Sequence, residues 1–126
     1  ESVSDYISVL LKAYLTLNKK GITFRASQQE ELNALHDVVS TYVSLITDAF
    51  ESNQAEIVTK AHSQGESITH HVKRLRDEHL ECMSEEKIDP SLTMSYIGIL
   101  NAYRKIKDHL QNVAEAMAGG KLNRPR

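Results

Sequence analysis

An all-α fold, an antiparallel up-down four-helix bundle, is what the sequence predicts, and three observations carry it. Apolar residues recur at alternating steps of three and four through four separate segments, the spacing that lines one face of a helix. Capping residues and glycines stand between those segments at short intervals, so consecutive helices are expected to fold back on one another. Neither proline falls inside a periodic stretch, and no run of alternating apolar and polar residues offers a competing strand.

Val3, Ile7, Leu10, Tyr14 and Leu17 predict a first helix over about residues 2–19, stopped by Gly21 after two lysines. Ser27 with Glu30 three residues later has the form of a capping box, and Leu32, Leu35, Val39, Tyr42, Ile46 and Ala49 carry a second helix over 28–51. Asn53 with Glu56 offers another start of that kind. Behind it Val58, Ala61, Gly65, Ile68, Val72, Leu75, His79 and Cys82 line a third helix over 54–83. Gly65 in that stripe costs about 1 kcal/mol against alanine, which points to a close approach of another helix. Asp89 before Pro90 is a cap followed by proline at the first helical position. Leu92, Tyr96, Ile99, Tyr103, Ile106, Leu110, Val113 and Met117 then give the strongest stripe, over 90–118, with Gly119 and Gly120 as its stop. Residues 1–120 form one bundle and 121–126 a basic tail.

Composition bounds the function. The 126 residues are 40% apolar, enough for one compact core. Lys plus Arg number 15 against 17 Asp plus Glu, so no broad basic field exists to neutralise phosphates and nucleic acid is not an expected partner. The single Cys82 excludes an internal disulfide and fits a reducing compartment. No apolar run reaches the roughly 18 residues that span a bilayer, and no basic-then-apolar leader opens the chain. The sequence begins at Glu1, without methionine and already in helical pattern, and is read as a piece of a longer protein.

The first helix stands apart from the others. Besides its main stripe it carries Tyr6, Val9, Leu11 and Leu15, so apolar residues wrap much of its circumference. A helix of that kind is expected to be covered on most sides, and three companions do not suffice. Further helices or a second copy of the chain are expected against it.

The residues that could carry chemistry are few. At 100° per residue Asp108 points away from the Ile99, Tyr103, Ile106, Leu110 stripe, with Arg104 one turn before it as an i,i+4 partner. Together with Lys105, Lys107 and His109 it reads as a solvated helix face. Glu1 and Asp5 share one face of the first helix, and two carboxylates one turn apart can share a hard cation. Antiparallel folding sets the Asp5 and Asp108 levels alongside each other, on the outer sides of the first and fourth helices. The six histidines include no HExxH, CxxC or inward Glu-x-x-His pair, which excludes a buried zinc or di-iron site. His79 lies mid-stripe near the level of Tyr96 and reads as a core histidine bonded to a hydroxyl or carbonyl. No Gly-flanked serine elbow or phosphate-cradling glycine loop is present, so an enzyme is not expected.

The segment from Tyr103 through Ile106, Asp108, His109, Asn112, Ala114 and Glu115 resembles the closing helix of PhoU-like domains. The opening ESVSDYISVLLKAYLTLNKKG resembles the third helix of that family's first half-repeat. FESNQAEIVTKAHSQGESI and VKRLRDEHLECM are similar to the middle hairpin of PhoU-like domains attached to bacterial sodium/phosphate cotransporters, with Arg76, His79 and Leu80 in the places of a recurring Arg-x-x-His-Leu segment. The resemblance implies a six-helix domain of two three-helix repeats, of which this chain holds the last helix of the first and all of the second. It also implies surface metal binding through an acidic motif, E/D-x-x-x-D, in each repeat. Glu1 and Asp5 match the first copy, while Arg104 stands in the first acidic place of the second and leaves Asp108 alone. It implies, further, a non-enzymatic regulatory domain on the cytoplasmic face of the inner membrane. The expected partners are the membrane part of a sodium-dependent phosphate transporter or a second copy in a homodimer. A free-standing phosphate-signalling adaptor and a plain dimerisation bundle are the alternatives.

Overall fold

The computed structural model describes residues 3–52 and 57–122, and these form four helices in an up-down-up-down course. They are α1 (Val3–Lys20), α2 (Ala26–Ser52), α3 (Val58–Glu85) and α4 (Pro90–Leu122). Side-chain links fix their directions. Lys20 Nζ donates to Ser91 Oγ at 2.7 Å, so the end of α1 meets the start of α4. His79 reaches both Gln28 and Thr93, which joins the late part of α3 to the beginnings of α2 and α4.

The termini show why the helices stop where they do. Gly21 takes φ 67°, its N–H donates to the Asn18 carbonyl at 3.1 Å, and the Ile22 N–H donates to the Leu17 carbonyl at 3.0 Å. This pair of bonds is a Schellman motif, which needs a left-handed residue at the position glycine fills. Asp89 caps α4 by accepting the Ser91 N–H at 2.7 Å, with Pro90 at the first helical position.

The chain departs from its periodicity at three ends. α2 starts two residues earlier than residue 28, because Arg25 becomes the cap residue and Gln28, three positions on, reaches back to its N–H at 3.4 Å. Ser27 is therefore inside the first turn instead of capping it. α4 runs past residue 118 through Gly119 and Gly120 to Leu122, since glycine lowers helix stability without forbidding the conformation. The Asn53 and Glu56 start lies outside the described residues; α3 is helical from Val58 and extends to Glu85.

The core sits between α2, α3 and α4. Leu32, Leu35, Tyr42, Ile46, Ile68, Val72, Leu75, Ile99 and Leu100 are its largest fully buried side chains. Each of these three helices packs on the other two, whereas α1 packs along α4 alone among the described helices. The arrangement is thus a three-helix core with a fourth helix leaning on its flank. Phe24 closes the near end, edge-on to Tyr14 of α1 (6.3 Å between centroids) and to Tyr96 of α4 (5.7 Å). Because α4 has three neighbours, more than one stripe of it is buried: Leu100, Ala102, Lys107 and Ala114 join the residues of the periodic stripe.

Candidate functional site

α1 turns Val3, Tyr6, Leu10, Ala13 and Tyr14 toward the core as partly buried residues and fully buries Leu17 alone. Ile7, which the periodicity placed on the inner stripe, is 46% exposed. Val9 is exposed to 44%, and Leu11 and Leu15 each to 60%. The outward face from Ser4 to Asn18, through Ile7, Ser8, Leu11 and Leu15, carries no charged side chain, in a chain that is 25% charged. Exposed single leucines are ordinary, but a contiguous uncharged row of them is the composition of an interface core.

Beside this face runs a groove of about 520 Å³, between α1 and α2. Leu10, Tyr14, Leu32 and Tyr103 give it an apolar wall, and Gln29, Asn33 and His36 a polar but uncharged margin. Tyr103 OH and His36 Nδ1 share a hydrogen bond of 2.8 Å, which fixes the Tyr103 ring at the floor. The groove exists because α1 and α2 do not pack on each other. Sequence periodicity could identify the excess of apolar residues on α1; it could not identify Gln29, Asn33 and His36 as the opposite wall.

A second polar centre joins the three core helices. His79, 2% exposed, accepts from Gln28 Nε2 at Nδ1 (3.0 Å) and donates from Nε2 to Thr93 Oγ1 (3.0 Å). That tautomer follows from the network, since the Gln28 carbonyl oxygen is already engaged by the Arg25 N–H. The ring lies tilted on Tyr96 with centroids 4.8 Å apart. Burial, reinforced by the nearby Arg25 charge, pushes the His79 pKa below its ordinary value.

Lys107 is a correction. Instead of lying on a solvated face it is 5% exposed, and its Nζ pairs with Asp108 Oδ1 at 2.7 Å, the Asp108 side chain remaining half exposed. Gly65 makes the burial feasible: a Cβ there would come within 3.3 Å of Lys107 Cδ and 3.2 Å of both Gln111 Oε1 and Tyr42 OH. Arg104, the partner that spacing suggested for Asp108, is half-buried with its Nε lacking a hydrogen-bond partner. Tyr42 OH is likewise buried without one, and burial raises its pKa to about 12.

The other residues singled out by sequence are dispersed. Arg76 and His109 are half-buried and Leu80 is exposed, so the Arg-x-x-His-Leu segment delivers only His79 to the interior. Asp5 is exposed on α1, and Glu1, its expected partner, lies outside the described residues. No group of three His, Cys, Asp or Glu side chains among the described residues could hold a metal ion. At the Asp108 end the adjacent Lys107 ammonium already neutralises the carboxylate, and the residues there do not fit a cation. No described helix is long and apolar enough to cross a membrane.

A family model described as the PhoU domain matches residues 7–117 of the chain. No curated protein and no solved structure matches the chain.

Proposed function

The chain belongs to the PhoU domain family, whose helical domains are regulatory, and from that premise we propose that it is the regulatory domain of a sodium-dependent phosphate transporter. It acts by contact and not by catalysis. The observation that supports this reading is the uncharged outer face of α1, with Leu11 and Leu15 each 60% exposed beside the α1–α2 groove. Burying apolar surface yields roughly 25 cal/mol per Å², so such a row favours a covering partner. The partner proposed is the membrane part of the same protein, on its cytoplasmic side, with phosphate status altering how firmly the face is held.

The test is phosphate uptake by cells carrying the intact protein, with Leu11→Glu and Leu15→Glu introduced together. The isolated variant domain is expected to keep its helical circular dichroism, because neither side chain is in the core. Uptake by the variant is expected to lose its dependence on external phosphate. Unaltered regulation would refute the transporter reading. A wild-type domain that dimerises through α1, with uptake unaffected by the variant, would instead favour plain dimerisation.

A further inference from the structure

A second groove, of about 340 Å³, runs between α1 and α4, on another side of α1 from Leu11 and Leu15. It follows about three turns of α1, from Val9 to Lys20, and is open to solvent along that length. Its lips are apolar: Met94 is 76% exposed and Val9 44%. Its floor is built of small residues, Ala13, Ser95 and Gly98, and a Cβ on Gly98 would meet no atom within 4 Å. Small side chains let the backbone of an incoming helix come close, and the open place beside Gly98 leaves room for one of that helix's side chains.

Charge decides what kind of helix fits. Lys12 and Lys20 are the charged residues that line the groove, and no carboxylate lines it, although Asp and Glu outnumber Lys and Arg in the chain by 17 to 15. The two lysines stand two turns apart on one side of α1, about 12 Å along its axis. Neither forms an ion pair among the described residues, and the partner that Lys20 Nζ meets at 2.7 Å is the neutral Ser91 hydroxyl. Both ammonium charges are therefore left for an acidic occupant. The hydroxyl-bearing floor, with Ser91 and Ser95, suits the close approach of a peptide better than a hydrocarbon chain.

We propose that the α1–α4 groove docks an acidic amphipathic helix of a partner protein. Two carboxylates spaced two turns apart on that helix pair with Lys12 and Lys20, while an apolar residue between them packs on Met94 and Val9 and reaches the open place beside Gly98. The lysines set the direction of the docked helix and speed its encounter, and apolar burial holds it. This site lies on a different side of α1 from the Ile7, Leu11 and Leu15 row, so it does not rest on the transporter reading.

The probe is a fluorescein-labelled, side-chain-stapled helix of about 15 residues, rich in leucine and alanine on one face and carrying two glutamates two turns apart. Its twin carries lysines in their place. Fluorescence anisotropy with the folded chain is expected to show saturable binding of the glutamate helix, weakened by salt, and no binding of the lysine helix. Lys12→Glu and Lys20→Glu together are expected to weaken that binding by about tenfold or more. Gly98→Leu is expected to abolish it by filling the groove while keeping the helical circular dichroism, since the new side chain meets open space. Leu11→Glu with Leu15→Glu is expected to leave it unchanged, which separates this site from the other face of α1. Absence of binding, equal affinity for the two helices, or wild-type affinity in Gly98→Leu overturns the proposal. Displacement of the glutamate helix by decanoate would assign the groove to a fatty acyl ligand instead, and self-association of the chain that Gly98→Leu abolishes would assign it to a second copy; either result overturns the proposal as well.

Discussion

His79→Gln is expected to remove a defined part of the protein's acid sensitivity. In the folded chain both ring nitrogens are committed, Nδ1 as an acceptor from Gln28 and Nε2 as a donor to Thr93. Protonating Nδ1 would set an N–H against the Gln28 amide N–H₂, in a site 2% exposed. Burial and Arg25 accordingly lower the folded-state pKa beneath its unfolded value, near 6.5. The sign follows from proton linkage: between the two values the unfolded chain binds more protons, so this contribution is complete above about pH 6.5 and is lost as pH falls through the folded pKa. One such group supplies a slope of at most about 1.4 kcal/mol per pH unit. Urea unfolding followed by circular dichroism between about pH 5 and pH 7.5 reads that slope directly. His71, also lowered chiefly by burial, leaves a residual slope in the variant. At pH 7.5 the variant is expected to lose about 1–3 kcal/mol from imperfectly replaced bonds. Parallel pH curves for wild type and His79→Gln would refute the reasoning, because they would mean that His79 protonates as readily in the fold as outside it.

Gly65→Val is expected to destabilise by about 1–3 kcal/mol in the same assay, since its side chain must displace Tyr42, Lys107 and Gln111. Gly65→Ala should cost less, because the gain in helix propensity of about 1 kcal/mol offsets part of the crowding. Gly21→Ala meets no atom within 4 Å and is expected to lose about 1 kcal/mol, from backbone strain at φ 67°, measured as a lowered thermal midpoint. Calorimetric titration with Mn²⁺ tests the acidic motif of α4: no heat of binding that depends on Asp108 is expected, since the Lys107 ammonium already neutralises that carboxylate. Binding lost only with Asp108→Ala would contradict the Lys107–Asp108 pairing.

Much of the fold was legible in the chain itself. The stripe from Leu32 to Ala49 is buried at every position that the periodicity selected, and Gly21 and Asp89 end and begin helices as their chemistry requires. These features are local: a turn of helix is set by neighbours three and four residues away, and so is the face on which apolar groups gather. The excess apolar surface of α1 was equally readable, since it needs only a count of residues around one helix.

Tertiary structure decided which surface covers which. Lys107 reads as solvent-facing from its own helix, and it is buried only because α3 presents a glycine opposite it. Ile7 fits the inner stripe of α1 by spacing, yet it faces a groove because α1 packs on α4 and not on α2. Gln28, His79 and Thr93 belong to three helices that no spacing rule connects, and only their docking brings the three side chains together. Helix formation is governed by short-range periodicity within one segment, whereas burial and the company a side chain keeps depend on packing between segments distant in sequence, and that information exists only once the helices have docked.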